Sequence, residues 1–75
     1  MIDGGRVMIT EKVGLRIKEL RNENGISQEK LALKADIDRT YLAGAEIGKR
    51  NISLKSLEKI VNALDVSLEF FFKGL

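Results

Sequence analysis

Arg39, Thr40 and Tyr41 stand in succession at the head of a short polar segment, and Lys49, Arg50 and Asn51 follow it in a basic loop. A guanidinium, a hydroxyl and a phenol side by side can read a hydrogen-bonding surface. A bidentate arginine–guanine pair is the commonest specific contact of that kind. Each group also has a plainer reading as a solvated side chain. Position favours recognition for Arg39 and Thr40, and phosphate attraction for Lys49 and Arg50. Tyr41 is divided between recognition and packing its ring on the preceding helix. Lys55 and Lys59, one turn apart, read as a solvated face. The chain has no His and no Cys, which excludes cysteine metal sites, disulfides, thiol nucleophiles and histidine bases. No nucleophile–base pair or phosphate-cradling glycine loop stands out, so neither an enzyme nor a cofactor, metal or small-molecule ligand is expected.

The elements that must hold these groups are all helical. Seventy-five residues, 44% hydrophobic and 32% charged, suit one small globular domain. Residues 1–9, with two adjacent glycines, read as a flexible arm, and 10–75 as the domain. Thr10 is the expected N-cap of a first helix over Glu11–Asn24, with Val13, Ile17 and Leu20 on one face and Gly25 ending it. Ser27 caps Gln28–Ala35, where Leu31, Ala32 and Ala35 are apolar, and Asp36 takes the sharp turn. Asp38 caps Arg39–Ile47, with Leu42 and Ala45 inward and Gly48 at its end. Ser53 caps a helix with Leu54, Leu57, Ile60, Val61 and Leu64 on its apolar stripe. Asp65 and Val66 break the chain, and Ser67 caps Leu68–Lys73. No run alternates at period two. The expected architecture is an all-α, compact five-helix bundle.

Two short helices joined by a three- to four-residue turn have the spacing of a helix-turn-helix. The small Ala32 sits where the second helix must cross the first. On these stretches, VGLRIKELRNENGISQEKLALKADI and YLAGAEIGKRNISLKSLEKIVNALDVSLEFFF, residues 13–72 resemble the Xre/Cro/phage-repressor regulators. The DRTYLAGAE segment most resembles restriction–modification controller proteins. The resemblance implies a lambda-repressor-like DNA-binding fold with double-stranded DNA as partner. It implies a phosphate contact by Gln28, base-edge contacts by Arg39, Thr40 and Tyr41 with Ala43 and Gly44 beside them, and backbone contacts by Lys49, Arg50, Asn51 and Ser53. Arg21 and Glu46 match an ion pair tying the first helix to the third. Asp36 departs from the glycine usual at the turn. Ala45 replaces a larger aliphatic, so the core beneath the third helix is expected to be underfilled unless Ile47 or Ile52 moves in. Ile47 replaces a polar or basic phosphate contact. Gly44 is read as letting the third helix approach a groove closely.

A net charge of only +2 permits a nucleic-acid partner without arguing for one. No apolar run could span a membrane and no signal peptide is evident, so the cytoplasm is expected. Consecutive rings on a helix point three ways, so Leu68, Phe71 and Phe72 are expected inward and Phe70 outward. An exposed ring on so small a chain marks a partner surface. The C-terminal helix, through Phe70, Phe71 and Leu75, is the expected homodimer interface. The resulting expectation is a sequence-specific DNA-binding transcription regulator, acting as a homodimer on a pseudo-palindromic operator, of the controller type. A phage-type repressor and a DNA-binding antitoxin remain alternatives in that class. A helical protein-interaction module without DNA binding is the alternative from another.

Overall fold

The computed structural model describes residues 8–75, and among these it contains five helices and no strand. They are α1 (Ile9–Glu23), α2 (Gln28–Ala35), α3 (Arg39–Glu46), α4 (Leu54–Ala63) and α5 (Leu68–Lys73). Of the expected arm, residues 1–7 lie outside the described residues. Met8 and Ile9 do not belong to an arm: Met8 is the N-cap of α1 and Ile9 its first residue. Thr10 is therefore inside the helix and is not its cap. The cause is Glu11, whose Oε1 accepts the Met8 backbone N–H at 3.3 Å, the return half of a capping box.

The other starts follow from short polar side chains. Ser27, Asp38, Ser53 and Ser67 each accept the N–H three residues on, from Lys30, Tyr41, Ser56 and Phe70, which satisfies donors the helix itself leaves open. Helix ends follow from left-handed residues. Gly25 (φ 67°) and Gly48 (φ 80°) need no Cβ accommodation, whereas Asp36 (φ 58°) and Asp65 (φ 62°) hold the same geometry with a side chain at some conformational cost. α3 ends at Glu46, with Ile47 as its C-cap.

One apolar core joins the elements. Ile17, Leu31, Leu42, Ile60 and Phe71 are fully buried, with Val13, Leu20, Ala32, Ala35, Leu57, Val61 and Leu64 around them. α1 packs on α3, α2 bridges α3 and α4, and α4 carries α5. The expected underfilling beneath Ala45 is resolved mainly by α1. A Cβ added at Gly14 would collide with the Ala45 carbonyl oxygen and come within 2.7 Å of the Glu46 oxygen. The small Ala45 is matched by a residue with no side chain, and the two backbones meet. Ile37 and Ile52 pack half-buried against the core, while Ile47 stays 62% exposed.

Three inward assignments are corrected. Leu54 is 84% exposed, because α4 begins there and its first turn overhangs the core; Leu68 and Phe72 are also largely exposed. The six-residue α5 is short enough that a single ring fills the available space, and that ring is Phe71, at 0% exposure. Phe72 lies edge-on to it, with centroids 5.2 Å apart. Phe71 consequently cannot form part of a surface between subunits.

Candidate nucleic-acid interface

The turn between α2 and α3 sets the direction of α3. Asp36 takes the left-handed conformation, and the Ile37 N–H donates to the Ala32 carbonyl at 3.0 Å. That bond seats Ile37 on the core and lets the chain re-enter a helix at Asp38. With Leu42 and Ala45 buried, the helical period turns Arg39 and Thr40 to solvent and leaves Tyr41, Ala43 and Gly44 half-exposed.

The far end of α3 is anchored by Glu46, which is 3% exposed. Arg21 Nε donates to Glu46 Oε2 at 2.7 Å and Arg21 Nη2 to Oε1 at 3.0 Å. The third donor nitrogen, Nη1, reaches the Ile26 carbonyl at 2.9 Å. Gln28 Nε2 donates to the same Glu46 Oε1 at 3.0 Å. The end of α1, the first residue of α2 and the end of α3 are thus fastened by one buried carboxylate. The hydrogen bond that Arg21 donates to Glu46, offset in part by burial, raises its guanidinium above the ordinary range. Gln28, expected to touch a phosphate, gives one amide N–H to this network. No buried side-chain nitrogen or oxygen among the described residues lacks a partner, as such a charged network requires.

Beside α3 the basic loop folds back. The Lys49 N–H donates to the Gly44 carbonyl at 2.9 Å. Arg50 lies with its guanidinium 6.0 Å from the Tyr41 ring centroid, an outer-range cation–π distance. The Tyr41 hydroxyl accepts the Ser53 backbone N–H at 3.1 Å. The Tyr41 hydroxyl therefore reaches the start of α4. Burial alone would push its phenol up. Hydrogen bonds from Ser56 and Ser53, with the Arg50 charge, outweigh burial and leave the group below its ordinary range. Lys49 and Asn51 are exposed, as are Lys55 and Lys59. Arg39, Thr40, Tyr41, Arg50 and the loop thus share one side of the molecule, joined to Ser53 through the Tyr41 hydroxyl.

Away from this side lie residues that pattern alone did not single out. Arg16 is 9% exposed; its Nε donates to the Phe71 carbonyl at 2.8 Å and its Nη2 to the Phe70 carbonyl at 2.9 Å. Its Nη1 pairs with Glu19 at 2.7 Å. This one guanidinium caps the end of α5 and stands 5.1 Å from the Phe70 ring centroid. Its register on the stripe of Val13, Ile17 and Leu20 was the available signal. Phe70 and Leu75 remain 49% and 42% exposed. Among the described residues no group of acidic, His or Cys side chains could hold a metal, and no helix is long and apolar enough to cross a membrane.

Comparison with known proteins agrees with this geometry. The helix-turn-helix family model matches residues 17–71. The control protein C.MunI of Mycoplasma sp is 43% identical over 65 residues, 85% of this chain and 88% of that protein. The crystal structure of the restriction–modification controller protein C.AhdI of Aeromonas hydrophila superposes with a TM-score of 0.81 at 43% identity, covering 84% of this chain and 96% of that one. The controller protein C.Esp1396I, solved as a tetramer with its natural 35 base-pair operator, superposes with a TM-score of 0.84 at 45% identity, covering 89% and 88%. With a matching family model and relatives of this identity over most of their length, the chain belongs to the helix-turn-helix family and, within it, to the restriction–modification control proteins.

Proposed function

We propose that this chain is a sequence-specific DNA-binding transcription regulator that acts as a homodimer on a pseudo-palindromic operator and controls a linked restriction–modification system. The observation that carries the reading is the exposed polar start of α3, Arg39 and Thr40, rigidly set by Asp36, Ile37 and the buried Glu46 network and flanked by Arg50 and Lys49. In this reading α3 enters the major groove. Arg39, Thr40 and Tyr41 meet base edges, and Lys49, Asn51 and the first N–H groups of α2 and α4 meet phosphates. The C.Esp1396I–operator complex supports it by likeness. Two copies related by a two-fold axis would place their α3 helices about 34 Å apart, one turn of the duplex. The exposed apolar residues of α5 supply a surface for that pairing. The protein would work in the cytoplasm, where its operator lies.

The test is binding as a function of salt, on random duplex and on a duplex enriched from a randomised pool by the protein itself. A dimer making four to six ionic phosphate contacts, those of Lys49 among them, gives a log–log slope of about −4 to −5. A slope near zero on both duplexes would support the interaction module in its place.

A further inference from the structure

Gly44 occupies the interior of α3, where glycine weakens a helix. Neither usual reason for a glycine applies. Its φ is not among the positive values, which belong to Gly25 and Gly48, and no backbone of another helix crowds it as α3 crowds Gly14. What it meets is one side chain. A Cβ built at Gly44 would lie 2.7 Å from Arg50 Cγ, 3.4 Å from its Nε and 3.6 Å from its Cδ. Arg50 thus runs through the slot that the missing side chain leaves, and its guanidinium emerges over Tyr41. Gly44 and Tyr41 are three residues apart and share a face. The same glycine accepts the Lys49 N–H through its carbonyl, so the loop bearing Arg50 is pinned to the residue that receives the Arg50 stem.

We propose that Gly44 is a positioning residue for Arg50: its missing Cβ seats the arginine stem against α3 and fixes the guanidinium beside Tyr41, where it reads the operator with Arg39 and Thr40. This rests on the reading of α3 as the DNA-binding helix. It replaces the simpler idea that Gly44 lets α3 itself sink deeper into the groove. The collision falls on Cγ, whose place is set by the first side-chain torsion alone. Relief at the flexible far end is not available, and the arginine must change rotamer, which redirects its charged end.

The experiment compares Gly44→Ala, Arg50→Ala and the double variant. Binding is measured on a duplex enriched from a randomised pool by the unaltered protein, and on random duplex. The unbound proteins are followed by circular dichroism and by the NMR shifts of the Arg50 side chain, which report the neighbouring Tyr41 ring. The expected result is that Gly44→Ala folds, loses the ring-induced shifts of Arg50, and weakens binding to the enriched duplex about tenfold or more, with little change on random duplex. In the Arg50→Ala background the same substitution changes affinity less than about twofold, since coupled residues are not additive. If Gly44→Ala alone fails to fold, the double variant, which has no clash, folds. Equal weakening in both backgrounds would show that Gly44 clears the groove and not Arg50, and would overturn the proposal. Unchanged Arg50 shifts with unchanged affinity would overturn it while leaving the reading of α3 intact. Loss of affinity on Arg39→Ala but none on Arg50→Ala would remove Arg50 from the contact set, and the proposal with it. No preference by the unaltered protein for any duplex would overturn the reading of α3 itself.

Discussion

Tyr41 is the chain's single tyrosine, so its ionisation can be followed directly by phenolate absorbance. The hydrogen bonds and nearby Arg50 charge that overcome burial place its midpoint below that of an ordinary tyrosine, about 10. Because the folded value lies below the unfolded one, the stability linked to it is fully present above the unfolded midpoint and is lost as pH falls through the folded midpoint. It therefore contributes in alkaline solution and not near neutrality. Arg50→Ala and Ser56→Ala should each move the midpoint upward; a midpoint at or above that of a free tyrosine would contradict the arrangement. Arg39 makes a different prediction, because its side chain is exposed and anchors nothing in the fold. Arg39→Ala should leave stability unchanged and reduce discrimination between enriched and random duplex by about 1–3 kcal/mol per half-site. Equal losses on both duplexes would make it a phosphate contact. The types and positions of these residues were legible in the sequence. The direction of Tyr41 was not, since it depends on a Ser53 N–H brought near by the fold.

At the scale of the element, the two helical glycines behave oppositely for a physical reason. Gly44 faces a movable side chain, whereas Gly14 faces the Ala45 and Glu46 backbone, which cannot step aside without lifting α1 from α3. Gly14→Ala gains roughly 1 kcal/mol of helix propensity. It should still destabilise the protein by about 1–3 kcal/mol through overpacking. Denaturant unfolding checks this, and a net gain in stability would mean that α1 and α3 are not in backbone contact. The helix starts at Ser27, Asp38, Ser53 and Ser67 were legible because each cap is a local bond to the residue three further on. The start of α1 was misjudged because Thr10 looks like a cap, and the deciding bond runs backward from Glu11 to Met8. The stop at Asp36 was readable from the sharp turn between two apolar stripes. What Gly14 and Arg16 do was not legible: Arg16 stands in register with the apolar stripe of α1, but the backbone that each of them meets is 31 or more residues away in the chain.

For the whole molecule, the homodimer proposed above needs an exposed apolar surface. α5 offers two edges. One carries Phe70, beside the Arg16 clamp, with Leu75 beyond it; the other carries Leu68 and Phe72, next to Leu54 of α4. Arg16 holds the carbonyls at the end of α5, so the Phe70 edge is the more rigidly presented, and rigid surfaces lose less on association. Burying a ring from each subunit contributes on the order of 1.5–3 kcal/mol apiece. Phe70→Asp places a carboxylate near the Arg16 guanidinium, so the helices should survive while the pairing is lost. The variant should sediment as a monomer at micromolar concentration and bind a palindromic operator weakly, each half-site then being held without its partner. Phe72→Asp is the comparison. If Phe70→Asp remains a dimer and Phe72→Asp dissociates, the two-fold axis passes by Leu54, Leu68 and Phe72. If both remain dimers, the interface lies off α5 altogether, and the exposed Leu15 and Ile47 at the α1–α3 side become the surface to alter next.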